Sequence, residues 1–162
     1  VAGYYALVTD VTTRVRHERT LATLVDRCPF GIYVVDAELR IAMMNDAFQR
    51  TTFAPVSPVV GRPLEEALGA LWPAPVVREM VAAFRHTLAT GEPYVSHGFV
   101  QRRADTARVE GHEWELHRVA MPEGGFAVLC YSFDSTPLRD AERALKEHET
   151  FLAGVLGSIT DG

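Results

Sequence analysis

The stretch GIYVVDAELRIAMMNDAFQR, residues 31–50, decides the fold. It holds two short runs of apolar and β-branched residues, Ile32 to Val35 and Arg40 to Met44, joined by a tight turn at Asp36-Ala37-Glu38. Such runs, bounded by turn residues, predict a pair of antiparallel strands. Asn45-Asp46 follows, and these residue types favour the start of a helix. The stretch therefore predicts a hairpin of strands that continues directly into a short helix.

Downstream of this stretch the pattern becomes helical and then returns to strands. Pro63 suits the first position of a helix over Leu64 to Leu71. A longer helix from about Pro75 to Thr90 carries apolar residues at helical spacing, and Gly91 is predicted to end it. Three strands follow, the last two joined by a tight turn: Tyr94 to Arg102, Val109 to Met121 and Gly125 to Phe133. This order predicts an α+β fold, a five-stranded antiparallel sheet with helices on one face and further helices at both ends.

Charge and composition exclude several classes of protein. The net charge of −5 gives no basic surface for nucleic acid. No run of about 18 apolar residues is present, so we expect no direct membrane insertion. The two cysteines, Cys28 and Cys130, are not spaced as metal ligands, and we expect no metal site. We predict reduced cysteines and a cytoplasmic protein.

The two ends of the chain resemble each other. A run from Gly3 to Val8 reads as a strand and is followed by Asp10-Val11-Thr12, and the last strand is followed by Asp134-Ser135-Thr136. A helix is predicted after each. The repetition predicts an array of similar domains. Its parts are the last strand of a preceding copy (1–12), a linker helix (13–28), the central domain (29–136) and a coiled-coil helix entering a following copy (137–162).

The last helix carries a regular apolar seam. Its members alternate in spacings of three and four residues: Leu138, Ala141, Leu145, His148, Leu152 and Val155. This spacing is typical of a coiled coil, whereas a helix on a globular core has a broader apolar face. We therefore predict a homodimer through the terminal helices. The alternative is a helix that packs back on its own domain.

These motifs resemble the PAS family over about Leu21 to Thr136. The resemblance rests on the 31–48 stretch, on Val60-Gly61-Arg62-Pro63-Leu64, on Leu88 to Tyr94, and on the last strand with its Asp-x-Thr exit. It implies a non-catalytic sensory module with a small central cavity, drawn from a signalling protein such as a sensor histidine kinase or a diguanylate cyclase. By the same resemblance, Asp134 would pair near the sheet and Thr136 would cap the exit helix.

The resemblance also bears on cofactors, whose existence and identity the sequence leaves open. No cysteine follows Gly61-Arg62, where light-sensing relatives carry one, so a covalent flavin adduct is disfavoured. Haem is disfavoured because Glu79-Met80 stands early in the long helix, where oxygen-sensing relatives place a histidine. We expect no cofactor, although a small-molecule ligand is possible. The candidates for the cavity wall are Trp72, Phe84, His86 and Trp114.

Two rivals to ligand or neighbour sensing stay open. One is a ligand-free structural spacer that mediates dimerisation, which a cavity filled by side chains such as Trp72 would favour. The other is a small α+β enzyme. Its catalytic groups would be Glu113, Glu115 and His117, which share one face of a strand, or His86.

Overall fold

The structure, a computed structural model, describes the backbone of residues 2–96 and 98–160 and the side chains of residues 13–96 and 98–155. The long helices lie at the two ends, α1 (Ala2–Asp26) and α5 (Thr136–Thr160). Between them come β1 (Gly31–Val35), β2 (Ile41–Met44), α2 (Asp46–Arg50), a 3-10 turn (Ala54–Val56), α3 (Leu64–Gly69), α4 (Ala74–Thr90), β3 (Tyr94–Val95), β4 (Phe99–Arg102), β5 (Val109–Ala120) and β6 (Phe126–Asp134).

The strands form one antiparallel sheet in the order β2-β1-β6-β5-β3, with β4 also paired to β5. The predicted antiparallel α+β fold is confirmed. The predicted strand from Tyr94 to Arg102 is divided into β3 and β4. Ser96 lies at the break, where its N–H donates to the Trp114 carbonyl and its hydroxyl accepts from the Trp114 N–H, both at 2.8 Å. The sheet therefore has six strands rather than five.

The core lies between the inner face of the sheet and the helices α2, α3 and α4. Tyr33, Phe84 and Trp114 form a stack through it, with ring centres 5.9 Å and 6.3 Å apart. All three side chains are buried. Helix α4 supplies Phe84 because its apolar residues recur every three to four positions and face the sheet. The helix ends at Gly91, as predicted, in the left-handed conformation that glycine adopts readily.

One predicted strand is wrong. The run from Gly3 to Val8 lies within α1, which begins at Ala2. A strand needs a neighbouring strand to satisfy its backbone N–H and C=O groups, and none of the described strands pairs with these residues. A helix satisfies the same groups internally. The assignment of residues 1–12 to a preceding copy stays a prediction, and residues 1, 161 and 162 lie outside the described part of the chain.

The short helix α2 starts as the sequence predicts, but its cap is different. Asn45 precedes the helix and makes no capping hydrogen bond with its side chain. It is 1% exposed, and its side chain ties α1 to the sheet. The Nδ2 group donates to the carbonyls of Val25 at 3.1 Å and Phe30 at 3.0 Å, while Oδ1 accepts from the Ile32 N–H at 2.9 Å. Asn45 thus fixes where α1 leaves the domain.

Among the described residues, no helix combines the length and the hydropathy that crossing a bilayer requires.

Candidate functional site

A small cavity lies between the inner face of the sheet and the helices. Its volume is about 20 Å³, which is room for about one water molecule. Eleven side chains line it: Tyr33, Phe48, Thr52, Phe53, Leu68, Trp72, Met80, Phe99, His112, Trp114 and Ser132. The wall is therefore mostly aromatic, with a few polar groups at its edge, and side chains fill most of the space.

Three of the four residues predicted for the cavity lie in this region. Trp72 and Trp114 line it, and Phe84 packs flat against Trp114 just behind the wall. Trp114 is 5% exposed, and its indole N–H has no acceptor among the described residues. A buried donor without an acceptor is uncommon in folded proteins.

His86 is not a cavity residue, so that prediction is wrong. It lies near the end of α4 with an exposed side chain, and its Nε2 atom is 2.9 Å from a carboxylate oxygen of Glu92. The helix turns Phe84 toward the sheet, and a residue two positions later points away from that face. A surface imidazole paired with a carboxylate cannot reach the cavity.

His112 was missed by the sequence analysis, although it lines the cavity. It is 4% exposed, and its ring packs edge-on against Trp72 with 5.3 Å between ring centres. Its Nε2 atom lies 3.2 Å from Glu110. The alternation along β5 that turns Trp114 inward also turns His112 inward, two positions earlier, so the signal was present in the sequence.

Arg103 joins this edge of the cavity to the loop after β4. Its side chain is 5% exposed and bonds both carboxylate oxygens of Asp105, at 2.8 and 2.6 Å. It also reaches Glu110 at 3.3 Å and the Thr52 carbonyl at 3.1 Å. The guanidinium lies 5.7 Å from the Trp72 ring centre. These bonds compensate for burying the charge.

Hydrogen bonds from Arg103 hold the pKa of the Asp105 carboxyl below its ordinary value. A depressed folded-state pKa stabilises the fold above the unfolded value of about 3.9, and this stabilisation is lost as the pH falls through the folded pKa. We therefore expect Asp105→Asn to lower the free energy of unfolding at pH 7 by about 1–2 kcal/mol. The difference from wild type should shrink as the pH falls below about 4.

Chemical denaturation over this pH range checks that expectation. The matched control is Asp140→Asn, which removes a carboxylate from an exposed pair with Arg143 on α5. Exposed pairs of this kind contribute little, so the control should follow wild type at every pH. A constant difference between Asp105→Asn and wild type would contradict the assignment.

Among the described residues, the hydrogen bonds that hold the start of α5 against β5 all involve Gly111. The Thr136 hydroxyl accepts from the Gly111 N–H at 2.8 Å and lies 3.4 Å from its carbonyl, which also accepts from the Ser135 N–H at 2.8 Å. A Cβ at position 111 would lie only 2.8 Å from the Ser135 Oγ and from the Arg139 side chain. A side chain at position 111 would therefore have to displace the Ser135 and Arg139 side chains from this contact.

The two exit residues have roles opposite to those that the resemblance implied. The Asp134 carboxylate accepts from the Thr136 N–H at 2.9 Å, so aspartate caps the start of α5. Thr136 instead pairs with the sheet through Gly111. The two roles are exchanged because the last strand ends at Asp134 and its side chain turns forward to the first N–H of the helix.

The residues of the enzyme alternative are divided between the two sides of the sheet. Glu113, Glu115 and His117 are on the outer face of the sheet, where His117 pairs with Glu115 at 3.3 Å. His86 is on α4, on the inner side. Among the described residues, no group of three acidic, histidine or cysteine side chains is arranged to hold a metal ion.

Most of the seam residues predicted for α5 are exposed within one chain. Leu138 is 55% exposed, Leu145 60% and Leu152 45%, and Ala141 and His148 are also exposed. Helix α5 touches the domain mainly through its first turn at β5. The alternative in which this helix packs back on its own domain therefore does not describe the structure.

Comparison with known proteins agrees with this architecture. A family model described as PAS fold matches residues 25–140. The PAS domain of BvgS from Bordetella pertussis has a TM-score of 0.57 at 22% identity, over 83% of this chain and 98% of that one. The PAS domain of an HTR-like protein from Haloarcula marismortui has a TM-score of 0.54 at 22% identity, over 78% and 98%. A search of curated proteins gives no match.

A third similar structure is a VqmA–ligand–DNA complex from Vibrio cholerae, with a TM-score of 0.59 at 14% identity over 71% of this chain and 50% of that one. At these identities the solved structures support the fold alone. The family match covers well over half of the sequence and includes the sheet, the cavity and the exit motif. The chain belongs to the PAS family, whose domains are generally non-catalytic sensory modules.

Proposed function

We propose that this domain is a sensory and dimerisation module that relays a conformational change from α1 through the sheet to α5, and from there to an effector such as a histidine kinase. The main support for this proposal is the hydrogen-bonded contact between Gly111 and Thr136. It fixes the start of α5 directly to β5, next to the cavity residue His112. A small shift of β5 at this point would tilt α5.

The other end of the relay is supported by Asn45. Its side chain connects the last turn of α1 to the start of β1. Strand β1 pairs with β6 over five residues, and β6 continues into α5. A displacement of α1 therefore has a continuous hydrogen-bonded route to the exit helix. Because the cavity is small, a change that starts in a neighbouring domain fits this chain better than one that starts with a ligand.

Dimerisation through α5 is supported by the exposed seam. Three leucines of one helical face are more than 40% exposed, which is costly unless another surface covers them. Their spacing matches the seam of a two-stranded coiled coil. A second copy supplies the same apolar face. The two paired helices would then transmit a tilt of α5 to the effector as one unit.

One observation favours a second function, the sensing of a small ligand. The Trp114 indole N–H is a buried donor without an acceptor. A ligand for this site would be small and flat and would present a hydrogen-bond acceptor to that N–H. It would have to displace side chains to enter. The filled cavity by itself favours the ligand-free spacer.

The test is native mass spectrometry of the purified chain over a dilution series, with two variants of α5. Leu145→Glu places a charge in the seam and should raise the dimer dissociation constant by about a hundredfold or more, since two buried leucines are lost from each dimer. Thr150→Glu places the same charge on the opposite face and should leave dimerisation unchanged.

The masses separate the alternatives. A dimer of bare protein mass would support neighbour sensing or the structural spacer, and a dimer with added mass would support ligand sensing. A wild-type monomer at micromolar concentration, or equal weakening by both variants, would contradict the seam.

A further inference from the structure

A groove lies between the first turns of α5 and the sheet at β4 and β5. Its volume is about 680 Å³, whereas the cavity between the sheet and the other helices has about 20 Å³. The strands supply its floor and the helix supplies its wall. We call it the exit groove, and nine residues line it: Val100, Val109, Gly111, Thr136, Arg139, Asp140, Glu142, Arg143 and Lys146.

The floor of the exit groove is apolar and only partly covered. Val100 lies opposite Gly111 in register, and Val109 is on the same face of β5, two positions before Gly111. Val109 is 52% exposed. Gly111 has no side chain to fill the space above it, and a Cβ there would lie 2.8 Å from the Cδ of Arg139. The floor therefore offers apolar surface next to the base of a cationic side chain.

The wall of the exit groove collects the positive charge of α5. Arg139, Arg143 and Lys146 are spaced by four and three residues, so they lie on one side of the helix. They are the only arginine and lysine residues in the sequence of α5, and all three line the groove. Two acidic residues of the same helix, Glu147 and Glu149, do not line it. The cations are thus gathered on the side that faces the valines.

Two of the three cations have no carboxylate partner. Arg143 bonds Asp140 at 2.9 Å. Within the part of the chain whose side chains are described, Arg139 and Lys146 form no ion pair. With Glu142 included, the lining has three positive and two negative side chains, which is a surplus of one positive charge. The groove therefore combines an apolar floor with positive charge that the chain itself does not neutralise.

We propose that the exit groove binds a small amphiphilic monoanion, a carboxylate with a hydrocarbon tail. The carboxylate would lie between Arg139 and Lys146, since the arginine fork matches the two oxygens of a carboxylate. The tail would cover Val100 and Val109 and remove their apolar surface from water. The surplus of one charge matches a monoanion better than a phosphate dianion. The volume is within the range of about 300–1,000 Å³ that is usual for small-molecule sites.

This site would act on the exit helix directly. A molecule in the exit groove contacts both α5 and the strands, beside the hydrogen bonds between Thr136 and Gly111. It would hold α5 at one angle to β5. The inference goes beyond the proposed function, because the signal enters at α5 and does not pass through α1 or the cavity. It also does not depend on the dimer, since the row from Arg139 to Lys146 is on the other side of α5 from the seam residue Leu145.

Nuclear magnetic resonance of the full chain, labelled with ¹⁵N, tests the site. The probe is decanoate, added below the concentration at which it forms micelles. We expect its amide shifts at Val100, Val109, Gly111 and the first turns of α5. Acetate has the same head without the tail, and decyltrimethylammonium has the same tail with the opposite charge. Each should bind at least about tenfold more weakly than decanoate, and added salt should weaken decanoate binding.

Charge reversals locate the carboxylate. Arg139→Glu should lower the affinity for decanoate about tenfold or more, because it removes a charged hydrogen bond and adds repulsion. Lys146→Glu should lower it about threefold, and this residue is exposed and far enough along α5 to leave the contact with β5 intact. The matched control is Arg85→Glu on α4, an exposed residue outside the groove, which changes the net charge equally and should leave the affinity unchanged.

Several results would overturn the site. These are the absence of decanoate binding, shifts centred on the inner cavity or on the seam of α5, and equal binding of decyltrimethylammonium. Wild-type affinity in both groove variants, or an equal loss in Arg85→Glu, would do the same. Sedimentation with phosphatidylglycerol vesicles in the absence of decanoate binding would identify a membrane surface as the partner and also overturn it.

Discussion

Replacing Phe84 with alanine is expected to lower the free energy of unfolding by about 3–5 kcal/mol. Phe84 is fully buried between the Tyr33 and Trp114 rings. Removing it loses the transfer free energy of a benzyl group and leaves a hole that the flanking rings cannot fill. Urea denaturation monitored by circular dichroism measures the loss.

Phe151→Ala is the matched control for this prediction. It makes the same chemical change at a side chain that is 67% exposed on α5 and should alter stability by less than about 0.5 kcal/mol. A loss of under about 1 kcal/mol for Phe84→Ala would mean that Tyr33 and Trp114 close over the gap. The aromatic stack would then not be the close-packed support behind the cavity wall that the ring contacts indicate.

Most of the central domain could be predicted from sequence because its signals are local. Turn residues bound β1 and β2, and the apolar spacing of α4 ends at a glycine. The break between β3 and β4 could not be predicted in this way. It depends on Ser96 bonding to Trp114, a residue 18 positions away that becomes a neighbour only when the sheet forms.

The candidate site was predicted less completely, for the same reason. The burial of Trp72 and Trp114 follows from their size and hydrophobicity. His112 and Arg103 are polar residues. They can be buried because the side chains of both contact the Glu110 carboxylate, which becomes their neighbour only in the folded sheet. His86 shows the opposite error, since helical phase and not residue type decides which side chains of α4 reach the core.

The wrongly predicted strand from Gly3 to Val8 shows a further limit of prediction from local composition. Its apolar and aromatic composition suits a strand in a sheet and also tolerates a helix, so the outcome depends on whether a neighbouring strand is present. By contrast, the prediction of the α5 seam depends only on the spacing of its apolar residues. In the structure these residues lie on one exposed face of a helix.

Replacing Asn45 with alanine should lower the free energy of unfolding by about 3 kcal/mol, since each buried polar group left without a partner costs about 1–3 kcal/mol. The change removes three hydrogen bonds at once, to Ile32, Phe30 and Val25. It also cuts the connection between α1 and β1. Denaturant unfolding gives the energy, and hydrogen exchange of the backbone amides near the end of α1 should become faster.

Two variants make the Asn45 prediction specific. Asn45→Asp keeps the shape but turns a carboxylate oxygen toward two carbonyls, so it should destabilise the domain at least as much as alanine. Gln49→Ala removes a single bond, from Nε2 to the Met44 carbonyl at 3.0 Å, and should cost about 1 kcal/mol. Equal losses for Asn45→Ala and Gln49→Ala, with unchanged exchange in α1, would contradict both the anchor and the relay that depends on it. A larger loss with faster exchange confined to α1 would identify Asn45 as the point where motion of that helix enters the sheet.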